Sequence, residues 1–428
     1  MIEVSSSISS TALSLPLTSG RPATYRVTAA YFAAYIALGL TVGSLGPTLP
    51  SLAEQTHVGL GAISYLFTAR SMGYALGAVR GGKMFDRHAG NPVIAVMLFA
   101  MSIMMTLVPV VPKLWLLLIV MLMLGAAEAA LDVGAITLMA WVHGNRVVPF
   151  MNAMHSFFGV GALVAPIIVA QTALLTYPTT TGYFVIAALL LPVAAHIFRL
   201  PSPAVATTTK SEIPAATDKG LVLLIALFLF LYVGAEVSFA GWIFTYSVKL
   251  RLSSATTAAY LTSLFWGSLT IGRMLIIPIA TRFKAASILI SSLAGCLLSI
   301  GLIGLVPRSF ASVLIGTAGL GLSMASIFPT TMSYAGQRIR ITGRLTGWIV
   351  LVASVGTMVV PLIIGQFFQS AGPRVLVTVI AVVLLGAVGV LVAVLRRSSV
   401  METLTSPNFP APAKLVCKDL LAAATNKS

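Results

Sequence analysis

Acidic side chains are scarce in this chain. Ten Asp and Glu stand against 26 Lys and Arg among 428 residues, and charged residues of both signs make up only 8%. A soluble globular domain carries about 25% charge, so most of this surface is not made to meet water. Cysteine is almost absent too. Cys296 falls in an apolar run and Cys417 near the C-terminus, which leaves no extracellular disulfide framework to build. No His, Cys, Asp and Glu cluster has metal-ligand spacing, and no Ser/His/Asp set can be assembled from the few polar groups inside the apolar runs. Neither a cofactor, a metal nor an enzyme is therefore expected. The excess of positive charge is spread over loops rather than gathered in one patch with interleaved aromatics, which argues against nucleic acid as a partner.

Hydrophobic residues make up 58% of the chain, and they come in runs. A helix needs about 20 apolar residues to cross a bilayer. Runs of that order fall at 25–48, 59–80, 92–110, 114–142, 149–173, 181–199, 220–247, 253–280, 285–305, 309–334, 344–369 and 373–396. The expectation is an all-α protein with twelve transmembrane helices embedded in a lipid bilayer. Placing both termini in the cytoplasm puts most Lys and Arg on that side, against Lys113, Lys249, Arg251, Arg308 and Arg374 on the other. The positive-inside rule sets this orientation. The plasma membrane is the expected location. Residues 1–24 are rich in Ser and Thr, lack the short apolar core and small-residue cleavage site of a secretory signal, and are read as a disordered cytoplasmic tail.

The chain superimposes on itself at a constant offset of 195 residues. Gly39 and Gly46 map to Gly234 and Gly241; Tyr65, Gly77 and Arg87 map to Tyr260, Gly272 and Arg282; Gly161, Pro166 and Gln171 map to Gly356, Pro361 and Gln366. Six predicted helices lie in each copy, an even number that preserves sidedness, so the copies are parallel repeats. The boundaries that follow are a bundle at 25–199, a Pro/Thr/Ala-rich cytoplasmic linker at 200–219, a second bundle at 220–396 and a cytoplasmic tail at 397–428. Two such bundles with a site between them have the architecture of a secondary transporter that rocks about its midplane, working as a monomer.

Ionisable groups inside hydrocarbon are costly and normally face a protein interior or an aqueous cavity. The fourth run carries Glu128 and Asp132, four residues apart and so on one helical face. Two carboxylates this close do not both ionise cheaply in a dry site, so a proton, a sodium ion or Arg70 is expected beside them. Arg70 and Arg273 are the basic residues inside predicted spans, and each needs a partner. Asn152 and His155 share a face of the fifth run and offer donors and acceptors suited to hydroxyls. In the seventh run Ser238, Trp242 and Tyr246 recur every four residues as a polar-aromatic stripe, of the kind that stacks on sugar rings, while Glu236, a third candidate for ion coupling or else a partner of Arg273, points elsewhere on the helix. Gln171 and Gln366, equivalent in the two copies, complete the candidate binding set. Gly73, Gly77 and Gly81 form a smooth stripe for close helix packing, and Phe328-Pro329 marks an irregularity in the tenth run. The run Gly77–Lys83 nearly spells a phosphate-binding loop but has Met84 where Ser or Thr is required and no preceding strand.

The segment Gly82–Asn91 (GKMFDRHAGN) resembles the loop signature of the major facilitator superfamily through Asp86, Arg87 and Gly90, with one residue inserted and Asn91 in place of a basic residue. Asp86 and Arg87 would serve there as a cytoplasmic gate. Beyond this loop, Asp132-Val133-Gly134, MNAMHSFFGVGALVAP (151–166), YVGAEVSFAGWIFTY (232–246) and FWGSLTIGR (265–273) resemble the fucose:proton symporter and sodium-dependent glucose transporter branch of that superfamily. The resemblance implies cation-coupled import of a hexose, with Glu128 or Asp132 as the coupling acid and Asn152, His155 and Trp242 as substrate contacts. It also implies a departure. Where that branch commonly has Asp-Thr-Gly-Ala-Asn, this chain has Val133 and Ile136 in place of the Thr and Asn, so a less polar solute, a facilitator or exporter, and a non-transporting sensor stay open.

Overall fold

The computed structural model describes residues 21–85, 88–172, 175, 177–203, 218–339 and 343–405. Among them the chain is helical, in fourteen α-helices numbered here in order: α1 (Arg21–Gln55), α2 (Leu60–Ile63), α3 (Tyr65–Phe85), α4 (Gly90–Leu107), α5 (Leu114–His143), α6 (Val147–Thr172), α7 (Pro178–Phe198), α8 (Lys219–Lys249), α9 (Ala255–Ala280), α10 (Ala285–Leu305), α11 (Phe310–Met324), α12 (Ile327–Gly336), α13 (Gly343–Phe368) and α14 (Val375–Thr405). Eleven helical segments are long and apolar enough to cross a membrane, with α11 and α12 counted together. The twelfth expected span is α3, a 21-residue helix whose Arg70, Ser71, Arg80 and Lys83 lower its hydropathy. Local chemistry sets several boundaries. Asp218 caps α8 through the N–H groups of Gly220 and Leu221, Ser254 caps α9 through Thr257, and Pro178 opens α7 where a missing N–H costs nothing.

The 195-residue repeat has a physical counterpart. Gly161 of α6 lies against the backbone of α1 at Ile36 and Leu40, and its mate Gly356 of α13 lies against the backbone of α8 at Phe230. At both places a β-carbon would collide with a carbonyl oxygen, so the shared glycine is what lets each helix pair approach. Gly73 and Gly77 do the same between α3 and α5, meeting the carbonyls of Leu122 and Ala126.

Helices α1–α7 form one group and α8–α14 the other. Call the end carrying His88, the α5–α6 turn and the loop after Ala280 the basic end, and the opposite one the distal end. Among the described residues, α6 and α9 pack across the groups at mid-helix, Gly159 against Thr270 and Phe158 edge-on to Trp266 at 5.9 Å, and the side-chain hydrogen bonds between the groups lie toward the distal end. Gly46 of α1 crosses Ala240 and Gly241 of α8. Thr68 Oγ1 donates to the Met358 carbonyl at 3.2 Å and Thr357 Oγ1 to Ser71 Oγ at 2.8 Å, tying α3 to α13. Gln171 Nε2 donates to Tyr260 Oη at 2.6 Å, tying α6 to α9, and Gln366 Nε2 to the Gly61 carbonyl at 2.8 Å, tying α13 to α2.

Three boundaries differ from the sequence expectation. The first helix begins at Arg21, inside the stretch 1–24 expected to be a disordered tail. The last helix continues past 396 to Thr405, because Arg397 holds its end in place with a paired contact to Asp218, at 2.8 Å for both nitrogens. The tenth span is interrupted at Ala325 and Ser326, between α11 and α12. Pro329 has no N–H to return to Ala325, and this is the irregularity expected from Phe328-Pro329.

Candidate functional site

Beneath the distal seal, the first group gathers charge between α1, α3 and α5. Arg70 and Glu128 face each other across the close α3–α5 contact. Arg70 Nε donates to Glu128 Oε2 at 2.9 Å and its Nη2 to Oε1 at 2.5 Å, while Thr41 of α1 donates to the same Oε1 at 2.8 Å. Glu128 is buried, at 2% exposure. A buried carboxylate needs a cation and filled lone pairs, and this one has both.

Asp132, one turn along α5 toward the basic end, has a different setting. Tyr35 of α1 and Tyr74 of α3 each donate to it at 2.5 Å, one to each carboxylate oxygen. It is half-buried. The His155 ring of α6 sits edge-on against Tyr35 at 5.7 Å between centroids, and the charges of Asp132 and of Arg273 from α9 both reach it. His155 and Asn152 are exposed, although His155 lies eight residues into α6, about 12 Å along its axis. Glu128 is thus locked, while Asp132 is half-buried and His155 exposed.

The second group carries Glu236 on α8, also buried. It contacts the hydroxyl of Tyr232, one turn back on the same helix, and feels the charge of Arg273 without forming an ion pair with it. The Ser238–Trp242–Tyr246 stripe lies in the seal and apart from His155. Trp242 is stacked on Phe368 at 5.0 Å and flanked by Phe67, with its Nε1 donating to the Pro361 carbonyl at 3.2 Å. Ser238 and Tyr246 are fully buried. Gln171 and Gln366 hold the distal latches given above. Asp86 and Arg87 lie outside the described residues.

Several members of this constellation carry no sequence motif. Tyr35, Tyr74 and Thr41 complete the acid network, and of these Tyr74 was findable as the residue four after Arg70 on one face of α3. Tyr232 stands in the same relation to Glu236. Asn91, the departure in the loop signature, is buried and bound on all sides. It accepts from Tyr31 at 2.6 Å, donates its side-chain amide to the carbonyls of Leu200 and Pro201, and donates its backbone N–H to Ser202 Oγ. It pins the chain leaving α7 to the start of α4, a position where a long cationic side chain would be costly to bury.

Residues 31–351 match the Major Facilitator Superfamily. The chain belongs to that superfamily. Among similar proteins, the sodium-dependent glucose transporter 1 of Xenopus laevis is 31% identical over 368 residues, covering 78% of this chain and 74% of that one. The human protein of the same name is 28% identical, covering 78% and 72%. Major facilitator superfamily domain-containing protein 4A of Pongo abelii is 24% identical, covering 81% and 87%. Two solved superfamily folds superimpose at low identity. The nucleoside transporter NupG does so with a TM-score of 0.71 at 14% identity, covering 87% of this chain and 99% of that one. A bacterial homolog of the human lysosomal transporter Spinster, in an inward-facing and unoccupied conformation, does so with 0.65 at 12%, covering 89% and 96%.

Proposed function

We propose that this member of the superfamily is a secondary active transporter that carries a small polar solute of the hexose class, coupled to a proton or sodium ion, by alternating access. Residues 25–199 and 220–396 form its two bundles. The observation that carries the reading is the half-buried acid: Asp132, held by Tyr35 and Tyr74, stands near exposed His155, whose ring lies edge-on to Tyr35, with exposed Asn152 on the same face of α6. That arrangement suits a solute with several hydroxyls, which His155 and Asn152 can both donate to and accept from. The names of the relatives, sodium-dependent glucose transporters, agree with it.

Binding then acts on charge. With the termini in the cytoplasm the hydrogen-bonded distal bridges lie on the outer side, which suits the releasing state of an importer. A cation arriving with solute neutralises Asp132 and weakens its hold on the tyrosines of α1 and α3, which frees those helices to move. Moving one charge through 100 mV supplies about 2.3 kcal/mol, enough to bias such a step more than tenfold. In proteoliposomes, a hexose panel tested under separately imposed pH and sodium gradients should show uptake accelerated by one of the two. Flux unchanged by both, with no competition from any hexose, would overturn the proposal. A second reading, a facilitator or exporter of a less polar solute, draws on Val133 and Ile136, which flank Asp132 with apolar side chains. Competition by apolar organic solutes and not by sugars would select it.

A further inference from the structure

Where α8 meets the break between α11 and α12, the hydrogen bonds do not balance if Glu236 is ionised. Tyr232 Oη lies 2.9 Å from the Met324 carbonyl oxygen and in closer contact with Glu236 Oε2. A phenol has one proton to donate. Met324 ends α11 at the break, where the last carbonyls lose their helical partners. Leaving that buried carbonyl without a donor is costly. Glu236 is buried, and among the described residues no cation stands in ion-pair contact with it, so its charged form is the costly one. With the one phenol proton facing two acceptors, the Tyr232–Glu236 contact is completed by a proton on the carboxyl.

From this geometry we infer that Glu236 holds a proton, and that Glu236, Tyr232 and the Met324 carbonyl form a proton-binding site in the second group, separate from the Glu128/Asp132 cluster. The site deepens the transport reading and rests on it for its role. It makes the proton a coupling ion. On release, the O–H bond of the Glu236 carboxyl breaks, its electron pair stays on the carboxylate, and the proton passes to a water molecule. Tyr232 then turns its O–H from Met324 to the carboxylate. Arg273, half-buried on α9 and already acting on Glu236 through space, supplies the counter-charge. The two protonation states thus favour different contacts of α8, with the α11 break when protonated and with α9 when not. Other titratable neighbours are few. The Cys296 thiol approaches from α10, while residues 345–368 of α13 and 375–395 of α14 contain no ionisable side chain. On α1, Tyr31 and Tyr35 are engaged by Asn91 and Asp132.

Infrared spectroscopy of the full-length protein in lipid nanodiscs tests the assignment without any transport. The wild type at neutral pH should show the carbonyl stretch of a buried, hydrogen-bonded carboxylic acid. The band should vanish in Glu236→Gln. In Tyr232→Phe, which keeps the acid and removes its acceptor, it should move to higher frequency. A spectrum unchanged by Glu236→Gln overturns the proposal; should that variant not fold, an unmoved band in Tyr232→Phe does so. In proteoliposomes the same substitution at Glu236 should abolish accumulation driven by a pH gradient, and accumulation that persists overturns the coupling role. Wild-type protein that carries no solute but keeps the band would sink the transport reading and leave the proton site standing.

Discussion

The two repeats share a scaffold and divide the chemistry. Glycines at equivalent places, Gly161 and Gly356, bring equivalent helices together, yet the ionic network of the first repeat has no image in the second. At the offset of 195, Arg70 becomes Phe265, Glu128 becomes Ser323, Asp132 becomes Ile327, Tyr35 becomes Phe230 and Tyr74 becomes Leu269. The second repeat puts its one intramembrane acid, Glu236, where the first has Thr41, the hydroxyl that donates to Glu128. Packing requirements are the same in both copies, so duplication preserved them. A charged cluster is expensive to bury and is useful only once, so one copy kept it and the other did not.

That contrast is most sharply tested by breaking the ion pair. Arg70→Met leaves Glu128 buried and unpaired, a change that typically costs about 3–5 kcal/mol. The purified protein should melt far lower and lose uptake. Arg70→Met combined with Glu128→Gln removes both charges and should recover most of the melting temperature without restoring uptake. If the double variant melts no higher than the single one, the pair is not what holds α3 to α5, and the first repeat is not organised by charge.

Next in size come the tyrosines. Tyr35→Phe or Tyr74→Phe removes one hydrogen bond to a carboxylate, worth about 1.5–3 kcal/mol, so uptake should fall about tenfold or more while the fold survives. Phe265→Leu, at the image of Arg70, should leave the Asp132 site untouched. An equal loss of uptake there would mean that the second repeat shares the work of the first.

Sequence reading reached the scaffold further than the site. Helix positions follow from run length, and the repeat from glycines whose spacing is fixed by backbone contact. The pairing of Glu128 with Arg70 was within reach, since both are ions in apolar runs and each needs a partner. Tyr35 and Thr41 were not, because a hydroxyl on a long apolar helix looks the same whether it faces lipid or an acid on another helix. The Ser238–Trp242–Tyr246 stripe shows the reverse limit. Periodicity gave a common face, but only the packing of Phe67 and Phe368 against Trp242 puts that face inside the distal seal. The break after α11 was signalled by Pro329, whereas the hydrogen bond of Tyr232 to the Met324 carbonyl depends on a helix distant in sequence.

The latches compare the repeats where they are alike. Gln171 and Gln366 are equivalent, and each ties the end of its helix to the opposite group. Replacing either by alanine removes about 1 kcal/mol, which shifts the balance between sealed and open distal ends about fivefold. Ser64, fully buried against Gly365, reports that balance. In a Cys296→Ala, Cys417→Ala background, Ser64→Cys should be labelled from the distal side faster in both latch variants, and to a similar extent. A response to one glutamine alone would make the seal asymmetric.

The smallest effect belongs to the clasp between Asp218 and Arg397, which has no counterpart in the first repeat. Partial burial pushes the Asp218 carboxyl up, but the hydrogen bonds and charge of Arg397, with the N–H groups of Leu221 and Gly220, outweigh it and hold the group below the usual carboxylate range. A folded-state value below the unfolded one stabilises the protein above the unfolded value, about pH 4, and that contribution disappears as the pH falls through the lower folded value. The wild type should therefore lose melting temperature more steeply than Asp218→Asn below about pH 4, and the two should run parallel above it. Because the pair is partly exposed and salt screens it, high ionic strength should shrink the difference. Curves that stay parallel down through acid pH would show that the α14 extension to Thr405 is held by its own packing and not by the clasp.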